Sequence, residues 1–294
     1  MILNLLIGFF LALVIALAAR NAGMLSRSGA RAATGLGTVI FGLGGLTWAL
    51  MLLAFFVSSS VLSRLFKQRK QLLEENYAKG SERDAWQVLA NGGVAGLFVV
   101  AHGFYPMQAW PWIGFAAALA AANADTWATE LGALSVYPPR LISNGQKVEP
   151  GTSGGITLTG VLAALAGAGV VSLVGVIFWR GATGLSLVGV PFNLAELLGV
   201  SPVNFSLEHR VLWLVILTLA GLAGSLVDSL LGATFQAVYR CPVCAKETER
   251  YPKHGCGTPT VRVRGLPWLN NDLVNLACTL SAALAALGMW LIVY

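Results

Sequence analysis

Ile156-Thr-Leu-Thr-Gly160-Val-Leu-Ala-Ala-Leu165-Ala-Gly-Ala-Gly-Val170-Val-Ser-Leu-Val-Gly175-Val-Ile-Phe178 is an uncharged, almost wholly apolar run, long enough to cross a bilayer as one helix. Comparable runs lie at about 2–19, 35–57, 88–101 with 108–122 beyond it, 211–233 and 273–293. The composition agrees, since 56% apolar residues, 11% charged residues and 34 glycines exclude an ordinary soluble domain. The expected fold is all-α: a polytopic helical membrane protein with about seven transmembrane helices, residues 1–294 forming a single integral membrane domain.

The 88–101 and 108–122 runs are short and separated by His102-Gly-Phe-Tyr-Pro-Met-Gln-Ala-Trp110. Aromatic residues favour bilayer interfaces, so this pair reads as a tight hairpin, with one broken span as the alternative. The first run has the length of a signal peptide but no basic start, and Ala18-Ala19-Arg20 is a poor cleavage site, so it is kept as a helix.

Loops after the second, fourth and sixth runs hold Arg64, Lys67, Arg69, Lys70, Lys79, Arg83, Arg140, Lys147, Arg240, Lys246, Arg250, Lys253, Arg262 and Arg264. The opposite loops hold Arg20, Arg27, Arg31, Arg180 and Arg210. With seven passes, this excess puts the N-terminus and the even loops in the cytoplasm and the C-terminus outside. The net charge of +6 is then mostly topological, and no nucleic-acid partner is expected; the basic cluster at 62–70 can also touch anionic lipid.

The polar motifs share that cytoplasmic side. Asp84 to Asn91-Gly92-Gly93 enters the third run, and Asn123-Ala-Asp125-Thr126-Trp-Ala-Thr-Glu130-Leu-Gly132 leaves the fourth. Pro150-Gly-Thr152-Ser153-Gly154-Gly155 enters the fifth, Asp228 lies near the inner end of the sixth, and Asn270-Asn271-Asp272 with Asn275 opens the seventh. Acids at a bilayer edge are costly, and cation binding is the reading that tolerates them best for Asp125 and Asp228. Asp272 is as readily a helix N-cap. Asp125 shares a helix face with Thr129, whereas Glu130 points away unless the helix breaks near Gly132. Gly224 and Gly232 fall on the face of Asp228 and admit a close neighbouring helix. The 150–155 run has the parts of an anion nest, or of a turn in which Thr152 or Ser153 caps the following helix.

Cys241-Pro-Val-Cys244 and His254-Gly-Cys256 form two close ligand pairs across a short loop, the pattern of a tetrahedral Cys3His zinc site. Four protein ligands would make that zinc structural, in a small cytoplasmic loop at 240–266; a disulfide or redox pair is the competitor. Cys278 reads as a small packing residue. The Arg180–Arg210 region reads as an external loop with a short interfacial helix from Phe192 to Leu198, and Ser63 to Tyr77 as an amphipathic connector.

Taken together, the 123–132 motif, the 150–155 run, Gly224-Ser-Leu-Val-Asp228-Ser-Leu-Leu-Gly-Ala233, Trp268-Leu-Asn-Asn-Asp272 with Asn275, and Gln87-Val-Leu-Ala-Asn91-Gly92 resemble an integral membrane family long catalogued as a domain of unknown function. That family includes the phytyl-phosphate kinases of tocopherol synthesis. The Asp125 to Gly132 spacing is also similar, more distantly, to CTP-dependent phytol and dolichol kinases, although a lysine of their Lys-Ser-Gly element is absent from 150–155. The resemblance implies magnesium-dependent transfer of the terminal phosphate of CTP or another nucleoside triphosphate to a membrane-embedded isoprenyl monophosphate. A CTP-dependent isoprenol kinase, a cytidylyltransferase and a lipid-phosphate transporter or flippase are the alternatives.

In that scheme Asp125, Asp228 and Asp272 hold magnesium, and Asn91, Asn123, Asn271 and Asn275 with Thr126 and Glu130 orient acceptor or nucleotide. Gly154 and Gly155 offer amides beside Thr152 and Ser153, and Lys147 with Arg140 neutralises phosphate charge. His102 and His209 fall on the outer side and His254 belongs to the zinc loop, which leaves no histidine base for an alcohol. A monophosphate needs none, being anionic near neutral pH.

Overall fold

The computed structural model describes residues 2–66, 82–178 and 207–293. Its helices are α1 (Ile2–Asn21), α2 (Arg27–Val39), which runs into a π-helical turn (Ile40–Gly44), α3 (Leu46–Leu65), α4 (Ala85–Phe104), α5 (Trp110–Gly132), α6 (Leu158–Ile177), α7 (Leu207–Thr234) and α8 (Asn271–Val293). Six of them are long and apolar enough to span a membrane: α1, α3, α4, α6, α7 and α8. The two expected features outside the described residues are the helix at 192–198 and most of the 63–77 connector.

α5 is the hub. Every residue from Pro111 to Ala124 is buried, and Ala116-Ala-Ala-Leu-Ala-Ala-Ala-Asn123-Ala gives its neighbours small side chains to approach. α6, α7, α8, α4 and α3 all pack on it. Gly221 of α7 lies so close that an added Cβ would stand 3.0 Å from Ala120, and Gly167 of α6 so close that it would meet the Asn123 carbonyl at 3.0 Å. The α4–α5 hairpin is as expected from the sequence, turning between Phe104 and Trp110.

The second expected span is not one helix. Gly45 adopts φ +78°, a left-handed conformation that ends the π turn and reverses the chain. α2 with the π turn packs antiparallel on α1, Gly37 against Ala12 and Gly42 against Leu5. α3 then returns, so that Ser58 reaches Asn123 and Ser63 reaches Glu130. This extra pass corrects the parity: the start of α1 lies at the end of the bundle opposite the motifs, the same end as the C-terminus of α8. The Asn21–Arg27 turn joins the motif end, where Leu25 bridges to Arg83. Arg20, Arg27 and Arg31 therefore move to the motif end, and Arg210 is the single lysine or arginine among the described residues at the other end.

Two small sheets extend the motif end of this all-α bundle. β1 (Arg140–Leu141) pairs antiparallel with β2 (Gly155–Ile156), and β3 (Val238–Arg240) sits between β4 (Glu247–Thr248) and β5 (Val261–Arg264). Arg264 ties the second sheet to the helices through Nη1 bonds to the Gly232 and Ala233 carbonyls at 2.9 and 2.7 Å, which satisfy the open C-terminus of α7.

Candidate functional site

Helix starts leave most of the polar motif residues unused. Asn270 caps α8 by accepting from the Leu273 amide at 3.1 Å, which releases Asp272 from the capping role. Asp84 and Gln87 form a reciprocal capping box on α4. Thr157 caps α6 by accepting from Gly160 at 3.0 Å, so neither Thr152 nor Ser153 does so. The 150–155 run is separated from α6 by β2, and its amides do not lie at the helix N-terminus.

At this end a cleft of about 810 Å³ opens between α4, α5, α7, α8, the 150–155 run and the β3–β5 sheet. Asp125, Asp228 and Asp272 line it from three different helices, with Asn91, Thr126, Glu130, Thr152, Ser153, Gly154, Gly155, Asn271 and Asn275. Asp228 is the telling member. Its Oδ2 is buried without a hydrogen-bond partner, and the charges of Asp125 and Glu249 both act on it. A carboxylate in this state beside two further acids is costly to ionise, and either a proton or a bound cation removes that cost.

Glu130 reaches the cleft without a helix break. α5 continues to Gly132, and the far side of the helix is still inside the cleft because Ser63 of α3 donates to Glu130 Oε1 at 2.7 Å. Arg83 completes that wall. Its backbone is held by the Met24 carbonyl and the Ser26 amide, its Nη2 donates to Ser59 at 3.0 Å, and its guanidinium lies 5.5 Å from the centre of the Phe55 ring. Burial brings the Arg83 guanidinium down to about 10, with the charge of Glu130 acting the other way, so it stays a cation at neutral pH.

Three expected residues are placed elsewhere. Asn123 is fully buried and spent on packing: Nδ2 donates to the Gly167 carbonyl at 2.8 Å, and Oδ1 accepts from Ser58 at 3.0 Å. Arg140 and Lys147 face each other on an exposed β hairpin outside the cleft, with Arg140 Nη1 bound to the Gly145 carbonyl at 2.9 Å. The cations that do line the cleft are Arg83, Arg250 and Lys253, and Glu249 joins the acids. All but Arg83 come from the zinc-type loop, whose cysteine spacing was legible but whose approach to α7 was not. We expect Lys147→Ala to leave any activity of the cleft unchanged and Arg250→Ala to reduce it, measured as initial rates on the two purified variants.

The 150–155 run is nevertheless built into the cleft wall. Gly154 has φ +83°, and a Cβ there would fall 2.3 Å from the Ala233 amide nitrogen. The Gly155 amide is spent on the Thr152 carbonyl at 3.0 Å, which removes one of the two expected amide donors. Ser153 donates to Gln236 Oε1 at 2.8 Å, and Gln236 Nε2 donates to Glu249 Oε1 at 2.8 Å. This relay couples the glycine run to the sheet.

Cys241, Cys244, His254 and Cys256 offer four ligand atoms all within 4.8 Å of one another. Cys241 and Cys256 sulfurs are 3.6 Å apart, and Cys256 Sγ is 3.3 Å from His254 Nδ1. A tetrahedral zinc with bonds of about 2.3 Å requires sulfur pairs roughly 3.8 Å apart, far beyond a disulfide. The Cys244 amide donates to Cys241 Sγ at 3.4 Å. Hydrogen bonding with Thr258 and then His254 brings the Cys256 thiol down to about 5, while a side-chain hydrogen bond with Cys256 pushes the Cys244 thiol up to about 11. Cys278 is buried in the helical core, as read from the sequence.

A bundle of long apolar helices with one polar, acid-lined end defines a multi-pass integral membrane protein. The chain belongs to the family described as Integral membrane protein DUF92, whose model matches residues 10–283. It is 33% identical to Protein PGR of Arabidopsis thaliana over 247 residues, covering 79% of this chain and 77% of that protein. It is 30% identical to an uncharacterized membrane protein of Methanocaldococcus jannaschii over 237 residues, 80% of this chain and 84% of that one. A further membrane protein, from Synechocystis, is 24% identical over 257 residues, 86% of this chain and 78% of its own length. No solved structure matches.

Proposed function

We propose that this chain is a membrane phosphotransferase that passes the terminal phosphate of CTP, or another nucleoside triphosphate, to an isoprenyl monophosphate such as phytyl or geranylgeranyl phosphate. The observation that carries the reading is the buried, unpartnered Asp228 oxygen in a cleft shared with Asp125 and Asp272. Carboxylates from three helices suit a hard divalent cation that keeps part of its coordination for phosphate oxygens, as magnesium does. Phosphoryl transfer asks mainly for such a metal, cationic charge and alignment. Arg83, Arg250 and Lys253 supply the charge here, and the Ser153–Gly154 turn lines the same cleft.

The excess of lysine and arginine at the motif end supports a cytoplasmic cleft, with the start of α1 and the end of α8 on the far side. Nucleotide is available on that side. Zinc in the Cys3His cluster holds the β3–β5 sheet against the cleft as a structural ion. His102 packs at the far end against Trp48, 4.8 Å between ring centres, and is out of reach as a base. That favours a phosphate acceptor over an alcohol.

The test is phosphoryl transfer by purified protein with magnesium and each of the four nucleoside triphosphates, offering geranylgeranyl monophosphate beside geranylgeraniol. Diphosphate formed from the monophosphate, with nucleoside diphosphate released, is the expected result. Release of pyrophosphate would make it a cytidylyltransferase, and intact nucleotide with both acceptors would remove the enzyme reading.

A further inference from the structure

Gly45 does more than add a pass. Once the chain has reversed there, the α1–α2 hairpin leans on α4, whereas α3 leans on α5 and α6. The two arms diverge, and between them lies a second cavity of about 250 Å³. Its walls are apolar along nearly their whole length: Leu11 and Ile15 from α1, Ala33 and Leu36 from α2, Ala49 and Leu53 from α3. From Leu46 to Phe56 on α3 it extends about 15 Å along the bundle, at 1.5 Å of helix rise per residue. Leu46, Leu11 and Ile15 are exposed on the lipid-facing rim, so the groove opens sideways.

Only one end of the groove is polar, and that end is shared with the cleft. Arg83, Gln87 and Asn91 line both cavities. Gln87 and Asn91 stand one helical turn apart on a single face of α4, with Arg83 just ahead of the helix on the same side. The Gln87 Oε1 is taken by the Asp84 amide, which leaves its Nε2 as a donor for a ligand. A cation and an amide at the rim of an apolar slot beside a metal-type acid cluster form a complementary site for an amphiphile with one chain and one anionic head.

We propose that the groove between the α1–α2 hairpin and α3 holds the hydrocarbon tail of a single-chain lipid phosphate, whose head lies at Arg83 and which enters from the bilayer between α1 and α3. The identity of the head rests on the phosphotransferase reading of the cleft; the tail site does not. The arrangement also divides the cleft: acceptor on the Arg83 and Glu130 side, donor on the Ser153, Arg250 and Lys253 side, with Asp125 and Asp228 between. A lipid bound in this way never leaves the membrane to react.

The experiment is photolabelling of the full chain in nanodiscs with geranylgeranyl monophosphate carrying a diazirine at the tail end, without nucleotide or metal, followed by peptide mapping. Adducts concentrated on the groove faces of α1, α2 and α3 are expected, and Ala33→Phe and Ala49→Phe should each cut them tenfold or more. Arg83→Gln should lower labelling by the monophosphate while leaving that by the free alcohol unchanged. Adducts on α6 to α8, or spread evenly over lipid-facing residues, would overturn the groove. Turnover is not needed for this readout: groove labelling without any transfer would leave the tail site standing and defeat the kinase, and transfer with labelling elsewhere would do the reverse. If a filling variant loses labelling, an unchanged unfolding temperature and helical circular dichroism show that the groove has been filled, and a lowered unfolding temperature shows misfolding.

Discussion

Asp228→Asn is expected to lose phosphoryl transfer by about a thousandfold and yet to unfold at the same temperature as the parent or above it. The first half follows from the number of kilocalories a metal site supplies. Charge stabilisation by a bound divalent ion is worth several kcal/mol in the transition state, and each ~1.4 kcal/mol is tenfold in rate. The second half follows from the burial of Asp228 Oδ2 without a hydrogen-bond partner, next to the charges of Asp125 and Glu249. In the metal-free protein burial and the neighbouring charges make an ionised Asp228 costly, and an amide in its place removes that cost. Loss of activity with a gain in stability is the mark of a residue held for function, since a structural residue loses both together. Asp125→Asn should behave in the same direction. Thermal melts with and without magnesium complete the argument: magnesium should stabilise the parent and leave Asp228→Asn unmoved. Full activity in Asp228→Asn would take the metal away from this site.

The legibility of the chain divides along physical lines. Hydropathy identifies α1, α3, α4, α6, α7 and α8, because a span of that length has few other uses. It cannot find the reversal at Gly45, where Phe41-Gly-Leu-Gly-Gly-Leu46 is apolar on both sides and only a backbone angle separates one helix from two. That one glycine decides the sidedness of the N-terminus, and it also opens the groove. The arginine distribution held the clue. Moving Arg20, Arg27 and Arg31 to the motif end sharpens the charge asymmetry that the seven-pass count had blurred.

The acids were legible for a similar reason: Asp125, Asp228 and Asp272 are conspicuous against an apolar background, and helix ends on one face of a membrane have little room to diverge. Their cationic partners were not. Lys147 lies nearer to Asp125 in sequence than Arg250 does, but β1 and β2 carry it outward on a hairpin while β3 to β5 bring Glu249, Arg250 and Lys253 inward. Asn123 failed for the opposite reason. A polar residue inside a polar motif invites a catalytic role, yet its amide closes the contact of α5 with α3 and α6.

The inward turn of that second sheet makes metal removal the other large effect to expect. The loop from Cys241 to Cys256 has short strands and little apolar burial of its own, and segments of this kind draw much of their folding free energy from zinc. One zinc per chain is expected by elemental analysis of purified protein, and Cys241→Ser or exhaustive chelation should remove it. The helices should survive, with helical circular dichroism unchanged, because α5 and its neighbours are held by their own packed core. Transfer should nevertheless fall by two orders of magnitude or more, as Glu249, Arg250 and Lys253 leave the cleft together and the Ser153–Gln236–Glu249 relay opens. Because cysteine ligands must be deprotonated, zinc should be lost as pH falls, and the activity lost in that way should return when zinc is added back at neutral pH. A metal-free protein with undiminished transfer would show that the sheet stays folded without its ion, and the cations of the cleft would then owe their placement to Arg264 and its bonds to the end of α7.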